Sequence, residues 1–520
     1  MVHQRRITID ELDNSAENLR QLLEARVYSQ PGKSFLFSES DGRQFTYSEF
    51  DQAVNRTANL LKSHGIGKGD VVSLLLPNSV EYIVAYFACW KLGALAGPVN
   101  SLLKHHEAAY VISNSDARAL LVHGDFLSMI DSMRPEMPLL KSVIRFEDQA
   151  KATKNFSATL SPTSVDLNDE AIIIYTSGTT GKPKGCLLTH GNVIANARQV
   201  SQWLGFSNRD RLLSVMPLFH MNAVSVTTMS ALYAGASTVV SPKFSASRFW
   251  ETISEFQITS FGSVATMLTM LLAKYPNGVP QGLKTDQLRF AMCGSAPVPA
   301  EVIKRFEDTF NCLVIEGYGL SESTCRSTFN PPDQHRRLGS CGLPIGNEMR
   351  IVDDQDCDVP DGALGEIVLR GENILKGYYK DEQATAQAFR NGWFHTGDIG
   401  YRDEDGFFFV VDRKSDMIIR GGENIYPREI DEVLYQHPAV NAAATIGIPD
   451  QLYGEEVAAF VVPANDDEVT AEELLAFCRE RLADYKCPKT IRFVKEIPKG
   501  PTGKLLKREL AREFSSSSKS

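Results

Sequence analysis

The chain has 520 residues, too long for one small module at the usual ~150 residues per domain. Its 43% hydrophobic, 23% charged and 9% aromatic residues are a globular mixture and exclude wholesale disorder or a fibrous repeat. Lys plus Arg number 54 against 64 Asp plus Glu, and the net charge of −10 argues against a dedicated nucleic-acid or anionic-membrane binder. Nine scattered cysteines, no two at C-x-x-C spacing, read as reduced and mostly buried small apolar residues. Residues 1–14 hold no apolar stretch that could serve as a secretory signal, which predicts a cytoplasmic location.

In chain order, Thr46-Tyr47-Ser48-Glu49 has the form of a capping box and predicts a helix to about His64. Residues 71–76 form an apolar run stopped by Pro77-Asn78, residues 82–92 read as a helix and residues 96–99 as a second buried strand. Strand, helix, strand predicts a parallel sheet. Residues 212–242 carry no Asp, Glu, Lys or Arg and are long enough to cross a bilayer. Pro217, His220, Asn222 and Gly235 interrupt that stretch, so it is read as a strand, a buried helix and another strand of the core. Residues 349–411 change to short alternating runs punctuated by Gly and Asp, the texture of an antiparallel β module. Beyond Asp416 come a helix over 428–435, strands over 442–448 and 457–462, and a helix capped by Thr470 and Glu473 that runs to about Leu482. The fold class is therefore α/β, a large N-terminal domain of parallel-sheet subdomains plus a β-rich module, followed by a small α+β C-terminal domain. The boundary is placed at residues 413–415, between residues 1–412 and 416–520.

The strongest local signal is a buried strand, 171–175, that opens into Thr176-Ser177-Gly178-Thr179-Thr180-Gly181-Lys182-Pro183-Lys184-Gly185. Small residues let backbone N–H groups and hydroxyls converge on phosphate oxygens, and the two lysines supply counter-charge. It is not a Walker A loop, because Pro183 stands where the required Ser or Thr would be. Further on stand Gly294-Ser295-Ala296-Pro297, Glu316-Gly317-Tyr318-Gly319-Leu320-Ser321-Glu322, Trp393-Phe394-His395-Thr396-Gly397-Asp398, Asp412-Arg413-Lys414-Ser415, Gly421-Gly422-Glu423-Asn424 and Pro501-Thr502-Gly503-Lys504. Taken singly, Asp398 is an ordinary turn aspartate, Glu322 a helix cap and Lys504 the start of an amphipathic helix with Leu506, Leu510 and Phe514.

In this order over the whole chain, these segments resemble the adenylate-forming superfamily of acyl-CoA synthetases, luciferases and peptide-synthetase adenylation domains. The resemblance implies an AMP-forming acid–CoA ligase that uses ATP, Mg²⁺ and CoA. It implies that Thr176 to Lys184 and Gly294 to Pro297 line the nucleotide, together with Glu316, Gly317, Gly319 and Ser321. Tyr318 would stack on the base, Asp398 and Arg413 would meet the ribose, and Glu322 with Thr176 would hold Mg²⁺. Lys504 would bridge the carboxylate and the α-phosphate. The C-terminal domain would then swing about Ser415, where relatives often carry Asp or Lys, and Gly421-Gly422 would line the tunnel for the thiol arm. His220 is either a core histidine or a gate beside the acyl group.

The acyl pocket is expected from residues 212–242, 261–267 and 292–295, with Phe219, His220, Ser263, Val264 and Gly294 in its wall. These stretches are nearly free of formal charge, which predicts an acid with a neutral distal end. Amino-acid activators place Asp after the Phe where this chain has His220, so an amino-acid substrate is not expected. Fatty acid and crotonobetaine or carnitine CoA ligases are the subfamilies that the phrasing resembles. An acyl carrier protein as acceptor, a nucleotide-binding pseudoenzyme of the same fold, and a homodimer remain open alternatives.

Overall fold

The computed structural model describes residues 16–145, 153–176, 182–295, 298–464, 469–498 and 507–517. Two seven-stranded sheets make the body of the N-terminal region. One runs Leu313–Glu316, Phe290–Cys293, Ser260–Ser263, Arg211–Ser214, Ser237–Val240, Ser34–Ser38 and Gln44–Thr46, parallel except for its last pair. The other is ordered Gly377–Tyr378, Lys184–Thr189, Glu170–Thr176, Leu95–Pro98, Val71–Leu75, Ala117–Val122 and Ser142–Arg145, with its antiparallel pairs at the Lys184–Thr189 edge. Continuous apolar runs such as 71–75 are buried on every residue because both faces of a parallel sheet are covered.

The helix Val80–Leu92 joins these layers. It is apolar all round and buried nearly throughout, as a helix between two layers must be. Its polar tips face opposite partners: Trp90 Nε1 donates to Ala171 O at 3.0 Å in the second sheet, and the Tyr86 hydroxyl donates to Leu218 O at 2.8 Å beside the first. One helix thus fixes the strand that leads into the Ser-Gly-Thr loop and the loop that precedes Phe219.

The expected strand, buried helix and strand of residues 212–242 are present, but the helix is π-wound over Asn222–Met229 before it tightens at Ser230–Tyr233. Side-chain hydroxyls explain the wide turns: Thr227 and Thr228 both donate to Ala223 O, and Ser230 donates to Ser225 O. Among the described residues no helix is long and apolar enough to cross a membrane.

The β module is antiparallel, with Glu348–Val352, Gly365–Arg370, Trp393–Arg402 and Phe408–Arg413 as its main strands. Beyond it, Ile418–Arg420, Glu423–Ile425, Val440–Asp450, Gly454–Pro463 and Thr490–Phe493 form a separate five-stranded sheet, carrying helices Pro427–Tyr435, Ala471–Arg479 and Lys507–Ser517. Both predicted capping boxes form, Thr46 with Glu49 and Thr470 with Glu473. The second helix ends at Arg479 rather than Leu482, because the Arg481 and Leu482 N–H groups both turn back to Cys478 O. All nine cysteines are free and seven are buried.

Candidate functional site

Three of the sequence motifs follow directly on the carboxyl ends of parallel strands, where open α/β sheets present their ligand sites. Gly294 and Ser295 follow Phe290–Cys293, Val264 follows Ser260–Ser263, and Gly317 to Gly319 follow Leu313–Glu316. Ser295 holds φ +71°, a left-handed backbone that costs a residue with a side chain, and such strain gathers at functional loops. Gly294 and Gly319 are required by space, since a Cβ would collide with Arg326 Nη1 at the first and with Cys325 O at the second.

Asp398 and Arg413 stand opposite each other on paired strands, and Arg413 Nε lies 3.1 Å from Asp398 Oδ1. The Tyr318 hydroxyl donates to Asp398 Oδ2 at 2.5 Å, which ties the end of the first sheet to the β module. Asp398 is only 4% exposed, and its charge holds the Arg413 guanidinium above its ordinary pKa. Burial first, and Asp398 second, push the Tyr318 hydroxyl well up, so it stays a phenol. The carboxylate has one guanidinium and one hydroxyl already oriented on it.

Beside this triad, Glu322 sits in the short 3₁₀ turn Ser321–Ser323. Its Oε1 accepts from Thr176 Oγ1 at 3.4 Å and from the Tyr378 hydroxyl at 3.2 Å. Lys184 Nζ lies 5.3 Å from the centre of the Tyr378 ring, and Lys182 Nζ 5.5 Å from that of Tyr110. One carboxylate with hydroxyl oxygens beside it is a donor set suited to a hard divalent cation shared with phosphates. Sequence reading missed Tyr378 and Tyr110, because each reaches the loop from a distant segment with no motif of its own. Ser177, Gly178, Thr179, Thr180, Gly181, Ala296, Pro297 and Lys504 lie outside the described residues.

Glu316 reaches Val298, whose N–H donates to its Oε1 at 3.3 Å, while its Oε2 has no hydrogen-bond partner among the described residues. Burial pushes this carboxyl up to about 7. It braces the backbone at Val298.

On the acyl side, Phe219 is buried and packs on the His220 ring with centroids 4.6 Å apart. Burial lowers His220 to about 4, so it is neutral at pH 7, and its Nε2 has no partner. Val264 is buried, while Ser263 spends its hydroxyl on Met292 O at 3.1 Å. Both amide atoms of Asn222 are buried and unpartnered where the π-helix meets Gly262. Arg326 is buried against Gly294, where a Cβ would meet its Nη1.

Lys414 and Ser415 are exposed in a turn closed by the Asp416 N–H on Arg413 O at 2.9 Å. Gly421, at φ +60°, and Gly422, at φ +92°, form the exposed two-residue tip of a hairpin whose turn type demands left-handed backbone at both positions. The C-terminal region touches the β module where the Arg428 N–H donates to Asp412 Oδ2 at 3.1 Å.

Residues 23–379 match the family described as AMP-binding enzyme, and residues 429–504 the AMP-binding enzyme C-terminal domain. A sulfoacetate–CoA ligase from Cupriavidus necator is 36% identical over 95% of this chain and 97% of its own length. A long-chain-fatty-acid–CoA ligase of Mycobacterium tuberculosis is 34% identical over 96% of this chain and 99% of its own. Among solved structures, ATP-bound MatB from Rhodopseudomonas palustris superposes with a TM-score of 0.90 at 28% identity, covering 96% of this chain and 99% of that one.

Proposed function

The chain belongs to the AMP-binding enzyme family and is an AMP-forming acid–CoA ligase; from that premise we propose that it is a cytoplasmic enzyme using free CoA, and that the residues described above divide its two half-reactions between them. In the first, a carboxylate oxygen attacks the α-phosphorus of ATP, the bond to the β-phosphate oxygen breaks, and pyrophosphate leaves. Two anions meet in this step, so the site must neutralise both and keep water from the mixed anhydride. Tyr318 lies against the adenine, Asp398 accepts from the ribose hydroxyls with Arg413 beside it, and Lys182 and Lys184 offset the charge of the departing pyrophosphate. Glu322 with Thr176 holds Mg²⁺, which when bound supplies charge neutralisation on the phosphates. Lys504 bridges the carboxylate and the α-phosphate.

In the second half-reaction the thiol sulfur attacks the acyl carbon, AMP leaves with the former carboxylate oxygen, and the thioester is complete. Residues 413–415 are the hinge between residues 1–412 and 416–520, Ser415 is its pivot, and the Gly421-Gly422 tip lines the thiol path, where small residues allow close approach to backbone. His220, neutral at pH 7, gates the acyl pocket without adding charge to it.

The observation that carries this reading is the Tyr318–Asp398–Arg413 triad with Glu322, Thr176 and Lys184 beside it. A neutral distal end on the acid, as the uncharged stretches suggest, would suit the fatty acid named for the mycobacterial relative; a charged one would suit sulfoacetate, named for the other. The test is acid-dependent exchange of labelled pyrophosphate into ATP over a panel of acids, followed by free CoA and a phosphopantetheinylated carrier as acceptors. Exchange with at least one acid and thioester on free CoA are expected. Exchange with none overturns the reading, and thioester on the carrier alone replaces CoA as the acceptor.

A further inference from the structure

Arg326 is only 1% exposed, yet Nε and Nη2 have no hydrogen-bond partner among the described residues. Nη1 donates to Gly317 O at 3.2 Å, and the guanidinium lies over the Phe329 ring with Cζ 5.2 Å from its centre. The three nitrogens are not equivalent. Nε–H and Nη2–H point the same way and form the edge that takes both oxygens of one carboxylate or sulfonate, so the edge left open is the bidentate one. A buried guanidinium with that edge unpaired is costly, and an anionic partner relieves the cost.

The neighbours set this guanidinium against a residue expected in the acyl wall. The guanidinium fills the space that a Cβ on Gly294 would take, and Gly317 leads into Tyr318. The Arg326 N–H shares Asn196 Oδ1 with the hydroxyl of Ser225 on the π-helix. One strand away, Gly262 faces Asn222, whose amide is also buried with both atoms unpartnered. A buried guanidinium with one unpaired edge and a buried amide with neither atom paired are groups that a polar end of the acid would satisfy.

We propose that Arg326, supported by Asn222, selects a short acid whose far end carries a second anion, a carboxylate or a sulfonate. The acid is short because Nη1 is anchored to the residue next to Tyr318, which leaves little room between the reacting carboxyl and the fork. This deepens the acid–CoA ligase reading and rests on it.

The test is pyrophosphate exchange by the full chain with malonate, succinate, glutarate and adipate, with sulfoacetate as the sulfonate arm, against butyrate, hexanoate and octanoate. The wild type is expected to prefer one short dianionic acid to the monoacid of equal chain length by about 10²–10³-fold in kcat/KM, mostly through KM. Whether the favoured acid is a carboxylate or a sulfonate identifies the terminus. Arg326→Met should abolish the preference, read as the ratio of kcat/KM for the dianionic acid to that for its monoacid in the same variant, and Arg326→Lys, which keeps the charge without the fork, should restore part of that ratio. The wild-type panel needs no variant, so a poorly folding Arg326→Met leaves the proposal exposed to refutation. Equal or better use of monoacids by the wild type overturns this inference alone; no exchange with any acid overturns the ligase reading beneath it.

Discussion

Burial decides the charge of single groups in this molecule, and two carboxylates at the nucleotide end meet opposite fates. Asp398 is paired with a guanidinium and a hydroxyl, whereas Glu316, with one backbone donor, is pushed up to about 7. Glu316 binds its proton more tightly folded than unfolded, so its contribution is fully present below the unfolded value near pH 4.5 and is lost as pH rises through about 7. Glu316→Gln should therefore raise stability to denaturant by about 1–3 kcal/mol at pH 8.5 and little at pH 4.5. An equal shift at both pH values would assign the effect to packing. His220 and His190, both lowered to about 4 by burial, carry the opposite sign and lose stability as pH falls below about 6.5. For Asp398→Asn, losing the charge that orients Arg413 and Tyr318 should raise KM for ATP about 10–100-fold, the worth of one charged hydrogen bond. Unchanged KM with a lower melting temperature would make Asp398 a structural residue only.

At the scale of elements, the helix Val80–Leu92 positions both halves of the site, so damage to it should reach each of them. Trp90 is 1% exposed, meets Phe87 edge-on at 4.7 Å and donates to Ala171 O. Trp90→Ala should cost about 3–5 kcal/mol of stability in a denaturant titration and should impair ATP and acid use together. Selective loss of one would contradict the bridging role. This helix and its flanking strands were legible in the sequence because continuous apolar runs and cap residues are local signals. The segments expected at the nucleotide are likewise short local runs, some just after a strand, as Gly294 is, and one inside the strand Trp393–Arg402. The π-winding of Asn222–Met229 was not, since it depends on which carbonyls the Thr227, Thr228 and Ser230 hydroxyls choose. Nor were Tyr378 and Arg326: one meets Glu322 across 56 residues of chain, and the other is marked only by burial with Nε and Nη2 unpaired among the described residues.

For the whole molecule, the decisive feature is a two-part chain whose exposed Lys414-Ser415 turn joins the β module to the C-terminal sheet. Polar contacts that cross at this point include Arg428 to Asp412 and Lys507 Nζ 3.7 Å from Asp412 Oδ2. A turn that serves as a pivot must change its backbone angles, and proline forbids much of that change at its own position and the one before. Ser415→Pro should therefore depress one half-reaction about 10-fold or more relative to the other, read by comparing pyrophosphate exchange with thioester formation. Equal effects on both would remove the hinge from residues 413–415. Beneath all of this lies the claim that the acid's own oxygen attacks the α-phosphate. Supplying the acid with both carboxylate oxygens as ¹⁸O and analysing the products by mass spectrometry tests it directly. One ¹⁸O in AMP and none in pyrophosphate is the expected result; label in inorganic phosphate, or AMP free of label alongside thioester, would contradict it.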